Sequence, residues 1–359
     1  MKISEFPSTE EFCVRDCLIA NTKCKLVFPN KLEIDWNDEN KIFRSSIWTE
    51  DGYLVSASFK KFTNLEEKPD FEPLDLNQNM EFIHKMDGST LVISKFKGEL
   101  IVRTRGTVDA SILDNGHEIE ILKEKYPILF DNEMLRSEGY SILTEWYSPK
   151  NVIVEKEASE STLWVTGIVN HFDYSYLSKK EVDLFAKEWN VERPKSYNFN
   201  TIKEMVDSVQ KWEKGEGVVI YGNSGQVLKK VKSLRYLYLH KIKSQLNSSQ
   251  NLIEFYLDKG MPSGEGFYKI IETEFDFEIA LQLKEEIEKV CNAGEKSKKY
   301  IDNILEMVHD IRKVPSRKEQ AEMIKRNYGE NSSYAFSVLD NKEILKIQWF
   351  KLIQKNYES

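Results

Sequence analysis

Short apolar runs broken by turn residues fill the chain from about Leu26 to His240. Leu91-Val92-Ile93-Ser94, a Lys97-Gly98 turn and Leu100-Ile101-Val102-Arg103 spell a β-hairpin, and Leu163 to Val169 reads as a further strand. Two helical patterns interrupt, near Glu181 to Trp189 and Thr201 to Trp212. After His240 the period changes. Ile301, Ile304, Leu305, Val308 and Ile311 recur at helical spacing, Ser316-Arg317-Lys318-Glu319 after Pro315 reads as a capping box, and Ile344, Ile347 and Phe350 form a last stripe. The pattern predicts an α+β chain: antiparallel sheets with flanking helices over residues 1–245, then an all-helical domain over 246–359. No internal repeat or low-complexity linker separates them, so a close junction near 241–250 is expected.

A chain of 359 residues with 40% hydrophobic content can build two cores. Its 51 Lys+Arg against 59 Asp+Glu give a net charge of -8, which argues against holding a polyanion by bulk charge and calls for a local groove. One basic strip answers that description: no acidic residue lies between Glu216 and Glu254, whereas Lys229, Lys230, Lys232, Arg235, Lys241 and Lys243 do, interleaved with Tyr236 and Tyr238. A solvated basic strand and helix start is the plainer alternative. Cys13, Cys17, Cys24 and Cys291 show neither zinc-site pairing nor disulfide density, and Cys13 and Cys17 are expected on one helix face. His117, His171, His240 and His309 lack metal-ligand spacing. With no secretory pattern at its start and no bilayer-length apolar run, the chain is expected in the cytoplasm.

The chemistry lies in an ordered series of strings: Lys85-Met86-Asp87-Gly88-Ser89, Leu143-Thr144-Glu145, Glu216-Gly217-Val218-Val219-Ile220 and Lys230-Val231-Lys232. Covalent nucleotidyl transfer needs an uncharged amine to attack an α-phosphate. Lys85 is the candidate, and nearby positive charge from Lys230, Lys232 and a divalent metal is expected to lower its pKa. Asp87-Gly88 gives a tight turn after it. Glu145, exposed near a strand end, suits a ribose hydroxyl, and Glu216 suits magnesium. Lys230 and Lys232, at i and i+2 on a strand, can reach one phosphate. His84 adjoins the nucleophile and is a candidate for the nucleotide site, although strand alternation points its ring to the opposite face. Arg105 reads as a phosphate ligand or a surface arginine, and Glu99 as a solvated carboxylate.

In this order the strings resemble the phage-type RNA ligase 1 family, the ATP-dependent tRNA-repair ligases of the covalent nucleotidyltransferase superfamily. Lys85 to Ser89 resembles motif I, Arg103-Thr104-Arg105-Gly106-Thr107 motif Ia, Glu145 motif III and Tyr147-Ser148-Pro149-Lys150-Asn151 motif IIIa. Glu216-Gly217 resembles motif IV, and Lys230-Val231-Lys232-Ser233 with Tyr236 motif V. Upstream, Lys60-Lys61-Phe62-Thr63-Asn64-Leu65 resembles the segment whose lysine contacts the triphosphate, and Arg44 stands where relatives have a phosphate-binding arginine. The likeness covers roughly residues 25–240, with a fainter extension through Arg317-Lys318-Glu319. Ser45-Ser46 replaces a common glycine, and Val152 a common arginine.

The resemblance implies an ATP-grasp-like nucleotidyltransferase ligase domain followed by helices; the oligomeric state is not given by the sequence, and a monomer is the expectation. It implies ATP and magnesium, with manganese as a substitute, and RNA bearing 5′-phosphate and 3′-hydroxyl ends, cleaved tRNA among it. Implied ATP contacts are Arg44, Lys61, His84, Arg105, Glu145, Glu216, Lys230 and Lys232, with Glu216 also at the metal and Lys241 and Lys243 on RNA. DNA ligases and GTP-dependent capping enzymes share the lysine chemistry, but they continue into a small β-barrel where this chain turns helical. A non-catalytic RNA-binding relative has no chemical need for Lys85.

Overall fold

The computed structural model describes residues 1–31, 34–65, 79–114, 116–150, 152–246, 248–274, 280 and 283–358. They fall into two units, Met1–Leu237 and Tyr238–Ser359.

The first unit opens with β1 (Phe12–Ile19) and β2 (Thr22–Pro29), a hairpin turning through Ala20 and Asn21, both at positive φ. A two-residue turn of that kind matches the twist of its strands. This hairpin stands where a helix was expected around Cys13 and Cys17. A four-residue spacing shares a face in a strand as well as in a helix, and Cys17 lies opposite Cys24. β3 (Ser46–Thr49) and β4 (Leu54–Ala57) complete a sheet of order β1-β2-β3-β4.

Two further sheets use β5 (Thr63–Asn64), β6 (Met80–Lys85), β7 (Ser89–Phe96), β8 (Glu99–Arg103), β9 (Tyr140–Tyr147), β10 (Thr162–Asn170), β11 (Ser196–Tyr197), β12 (Gly217–Gly222) and β13 (Val227–Lys232). Their orders are β10-β9-β7-β8 and β11-β6-β12-β13-β5. All pairs are antiparallel except β13 with β5, which is parallel over two residue pairs. The β7–β8 turn is the expected one: Lys97 and Gly98 take positive φ, and both backbone N–H groups donate to the Glu138 carboxylate. Glu99 accepts from the Ala20 N–H at 2.7 Å, a turn contact beyond the solvation expected of it.

Helices α1 (His117–Lys125), α2 (Pro127–Phe130), α3 (Glu133–Arg136) and α4 (Lys179–Glu188) surround the middle sheet, and α5 (Ile202–Val209) covers the last. Ser178 and Glu181 close a capping box that starts α4. Strand alternation then sorts the core. Leu91, Ile93 and Ile142 pack with Leu122, Leu129 and Trp189, while the intervening Val92 and Leu143 meet Trp48, Phe59, Ile83 and Val219. On β12, Val218 and Ile220 pack under Met205 and Val209 of α5, which leaves Val219 on the other face. Each fully buried Leu or Ile here contributes about 2 kcal/mol.

Helix α6 (Leu234–Leu246) crosses the division between the units. The described elements of the second unit are helical: α7 (Ser249–Asp258), α8 (Gly264–Glu274), α9 (Lys284–Ile311), α10 (Arg317–Tyr328), α11 (Ser332–Leu339) and α12 (Lys346–Tyr357), with a 3₁₀ turn at Gly329–Asn331. Ile301, Ile304, Val308 and Ile311 are buried as their spacing predicts, but Leu305 is 50% exposed, one residue around the helix from that stripe. On α12 the buried pair is Leu352 and Ile353, and Ile347 is 57% exposed. Six residues before Ile353, it lies about 240° around the helix from that face. No helix among the described residues is long and apolar enough to cross a membrane.

Candidate active site

Three of the motif strings meet across one sheet. β6 ends at Lys85, opposite Gly217 of β12, which in turn lies opposite Lys232 of β13. Glu216 precedes β12 and is only 3% exposed. Its Oε2 accepts from Lys85 Nζ and its Oε1 from Lys232 Nζ, each at 2.8 Å. Gly217 permits this register: at φ +152° a Cβ would stand 2.0 Å from the Val231 carbonyl oxygen. Gly88 does the same for the turn after Lys85, where a Cβ would be 2.5 Å from the Trp146 carbonyl oxygen. That approach sets the nucleophile's turn against β9, and with it Glu145.

A cavity of about 140 Å³ collects the charges Arg44, Lys85, Glu145, Glu216, Lys230 and Lys232. Phe62 lies between two of them, with the Arg44 guanidinium 4.6 Å and Lys230 Nζ 5.5 Å from its ring centroid. Burial pushes Lys230 down to about 7, aided by repulsion from Lys85, Arg44, Lys232 and Lys61. Burial pushes Glu145 up to about 7; Lys85 opposes that shift, and Glu216 and Asp87 reinforce it. Glu145 is therefore a partly buried group, not the exposed one expected.

The chain's own groups do not by themselves lower the Lys85 pKa. Burial alone would lower it, but Glu216, Glu145 and Asp87 outweigh burial and hold it above the ordinary lysine value. Glu216 is also buried, yet Lys85 and Lys232 hold its pKa below normal. The depressed lysine in this constellation is Lys230.

Several supporting residues carry no isolated signal in the sequence. Asp87 does more than make a turn: one carboxylate oxygen accepts from the Val154 and Glu155 N–H groups at 2.6 Å, and the other from the Tyr236 hydroxyl at 2.7 Å. Its own N–H donates to Glu157. Arg103 is fully buried and donates to the hydroxyl and carbonyl oxygens of Ser45 and Ser56. Ser45 in turn donates to the Arg105 carbonyl at 3.0 Å, so it ties the Arg44 and Arg105 segments together. Their partners Ser56, Val154, Glu155 and Glu157 lie outside the motif strings, so no signal in those strings points to these contacts.

Other candidates lie outside the charged cavity. Lys61 sits with Lys41 and Lys60 in a neighbouring depression, its Nζ 5.4 Å from the Trp36 ring centroid. Arg105 is exposed. His84 borders the cavity, but its ring stacks on Trp212, and Nδ1 lies 3.1 Å from the Tyr197 hydroxyl. The basic strip is not one surface. Lys229 is buried and donates to Thr63, Arg235 pairs with Glu155, and Tyr236 is buried. Lys241 and Lys243 belong to the second unit, Lys241 exposed and Lys243 partly so. Asn151 lies outside the described residues.

Among the described residues no three His, Cys, Asp or Glu side chains form a metal cage. Glu216 fits a magnesium ion that keeps its waters and phosphate ligands, which needs one or two carboxylates.

Residues 42–247 match the family model for RNA ligases of the phage RNA ligase 1 type. A protein of Autographa californica nuclear polyhedrosis virus, whose name couples polynucleotide kinase and RNA ligase, is 27% identical over 234 residues, 57% of this chain and 31% of that protein. The chain thus spans about a third of that relative's length. Among solved structures, two forms of an archaeal ATP-dependent RNA ligase are each 15% identical. One covers 76% of this chain and 73% of its own at a TM-score of 0.46, the other 92% and 93% at 0.45. A Naegleria gruberi RNA ligase mutant with ATP and Mn is 15% identical, covering 64% and 77% at 0.38.

Proposed function

The chain belongs to the RNA ligase family of the phage RNA ligase 1 type, and from that premise we propose that it is an ATP-dependent ligase that seals a 5′-phosphate to a 3′-hydroxyl through a lysyl-AMP intermediate on Lys85. The observation that carries the reading is the Lys85–Glu216–Lys232 constellation, assembled from strings 131 residues apart in the case of its first pair.

Lys85 Nζ attacks the α-phosphorus of ATP, forming a P–N bond as the bond to the bridging oxygen breaks and pyrophosphate leaves. The proton lost from Nζ has Glu216 Oε2 within hydrogen-bond reach at 2.8 Å. Arg44, Lys230 and Lys232 supply the positive charge that phosphates require, and Glu145 the acceptor for a ribose hydroxyl. Magnesium, with manganese as a substitute, would be held at Glu216 and supplies charge that disfavours the lysine ammonium. A 5′-phosphate oxygen of RNA then attacks the adenylate, breaking the P–N bond and restoring the amine. The RNA 3′-hydroxyl finally attacks that 5′-phosphorus and releases AMP. The viral relative's name supports a repair setting for broken RNA such as cleaved tRNA, because a polynucleotide kinase makes the 5′-phosphate consumed here.

Incubation with α-labelled ATP and magnesium, followed by denaturation, tests the reading. Label is expected on the wild type and absent from Lys85→Ala. Label retained by the variant would remove Lys85 as nucleophile, and preference for GTP would move the chain to the capping class.

A further inference from the structure

Arg103 ends β8 with none of its surface exposed, and the reaction steps above give it no part. A guanidinium has five N–H donors, and here each finds an acceptor. Nε donates to Ser56 Oγ at 2.8 Å, Nη1 to Ser45 Oγ at 2.7 Å and the Thr104 carbonyl at 3.1 Å, and Nη2 to the Ser45 and Ser56 carbonyls at 3.2 and 3.3 Å. All these acceptors are neutral oxygens. Burial pushes the Arg103 pKa down to about 10, so the group stays charged at neutral pH. A buried cation among neutral acceptors is costly, and what it supplies is a rigid fork that grips two strands at once. On one side the hydrogen bonds run on from Ser56 Oγ to Ser94 Oγ and Ser141 Oγ, each step 2.8 Å, and reach His171 Nε2 at 2.7 Å. The other side leads to the candidate site. Ser45 follows Arg44, the last residue of the 3₁₀ turn Lys41–Arg44, and its extended backbone leads straight into β3.

We propose that Arg103 is a positioning residue for ATP: by gripping the hydroxyl and the carbonyl of Ser45 together, it fixes the direction in which Arg44 enters the Lys85 cavity. The inference rests on the ligase reading above and deepens its ATP site. Arg103 is enclosed and does not touch ATP, so it acts through its neighbour. Arg44 needs such a hold. Its guanidinium lines the cavity beside the Phe62 ring, and burial, aided by repulsion from Arg105, holds its pKa below normal. Two cations that repel one another drift apart unless the backbone that carries them is fastened. The fastening is the Ser45 hydroxyl, which accepts from Arg103 while donating to the Arg105 carbonyl at 3.0 Å. A preset cationic pair of this kind meets phosphate charge without reorganising.

The test measures ATP binding directly, and the ATP concentration that half-saturates self-labelling, in Arg103→Gln, Arg44→Ala, the two combined, Arg103→Lys and Ser94→Ala. Arg103→Gln should weaken ATP about tenfold. The combined variant should match Arg44→Ala within about twofold, because a residue that acts through Arg44 has nothing left to position once Arg44 is gone. Losses that multiply instead would overturn the inference. Arg103→Lys keeps the charge without the fork and should recover only part of the loss; full recovery would assign the effect to charge and overturn positioning. Ser94→Ala breaks the other side of the network, so it should lower the melting temperature and leave ATP binding within about twofold of wild type. An equal loss of ATP in Ser94→Ala would reduce Arg103 to general support of the fold. If Arg103→Gln does not fold, Ser45→Ala takes its place, with the same dependence on Arg44 expected and unchanged ATP binding counting against the proposal. The two readings fail separately. ATP binding that depends on Arg103 in a protein that never becomes labelled would sink the ligase reading and keep the positioning role. Label on Lys85 with ATP binding indifferent to Arg103→Gln would overturn the positioning role alone.

Discussion

Glu145 and Lys230 are each pushed to about 7, one from below and one from above. The sign of their effect on stability follows from which state binds the proton. For Glu145 the folded state holds its proton between 4.5 and about 7 while the unfolded state has lost it, so its cost to stability grows across that window and is full above it. Glu145→Gln should therefore raise the melting temperature at pH 8 and leave it unchanged at pH 4. For Lys230 the unfolded state holds the proton between about 7 and 10.5, so its cost is full below pH 7 and fades as pH rises through that window. Lys230→Met should gain most at pH 6 and little near pH 10, while losing self-adenylation. Thermal melts across pH check both, and gains independent of pH would contradict the charge environment described. A third expectation concerns the metal: raising magnesium should partly restore labelling in Glu216→Ala but not in Glu145→Ala, and equal responses would merge the two roles. At this scale the residue types were legible because the chemistry demands an amine, carboxylates and paired cations in strings that can be read one at a time. The direction of the Lys85 shift was not, because it depends on Glu216 lying between two lysines, a product of strand register.

At the scale of elements, the site stands on two close approaches and one tie. Gly217→Ala would place a Cβ 2.0 Å from the Val231 carbonyl, so β12 and β13 must part at the point where Glu216 meets both lysines. Loss of self-labelling with a marked fall in stability is expected, and a labelled variant of normal stability would show the register to be dispensable. Tyr236→Phe is milder: it removes one donor to Asp87, which keeps two backbone donors, and should cost about 1–2 kcal/mol with reduced labelling. Denaturant melts beside label yield would measure it. Strands and helices with clean periods, such as β7, β8, β10 and the buried stripe of α9, were readable because burial on a given face writes the period into the sequence. The β1–β2 hairpin was misread because a four-residue spacing serves strand and helix alike. On α12, Ile347 suggested a stripe whose true face runs through Leu352 and Ile353, since an exposed apolar residue is common enough to mislead a short pattern.

For the whole molecule, net charge of -8 means that RNA held outside the ligase cavity needs concentrated cations, and the structure thins the supply that the sequence promised. Of the basic strip, Lys229 is buried against Thr63, Arg235 is paired with Glu155, and Lys232 is engaged by Glu216. Lys241, exposed, and Lys243, partly exposed, lie in the helical unit and are the strip's candidates for a backbone phosphate away from the cavity. Replacing both with Gln should weaken RNA binding and sealing while sparing self-adenylation. If each contacts one phosphate of a single strand, the slope of log affinity against log salt should fall by about 1.4 in total. An unchanged slope would take both lysines out of the RNA interface. Deleting residues 251–359 asks the larger question about the helical unit. The first unit carries its own core and every charged residue of the cavity, so self-labelling should persist in the truncated protein. If the helices recognise the shape of cleaved tRNA, sealing of a nicked stem-loop should fall more than sealing of short single strands. Equal loss on the two substrates, with labelling intact, would reduce the helical unit to general support of the sealing step and remove the case for shape recognition.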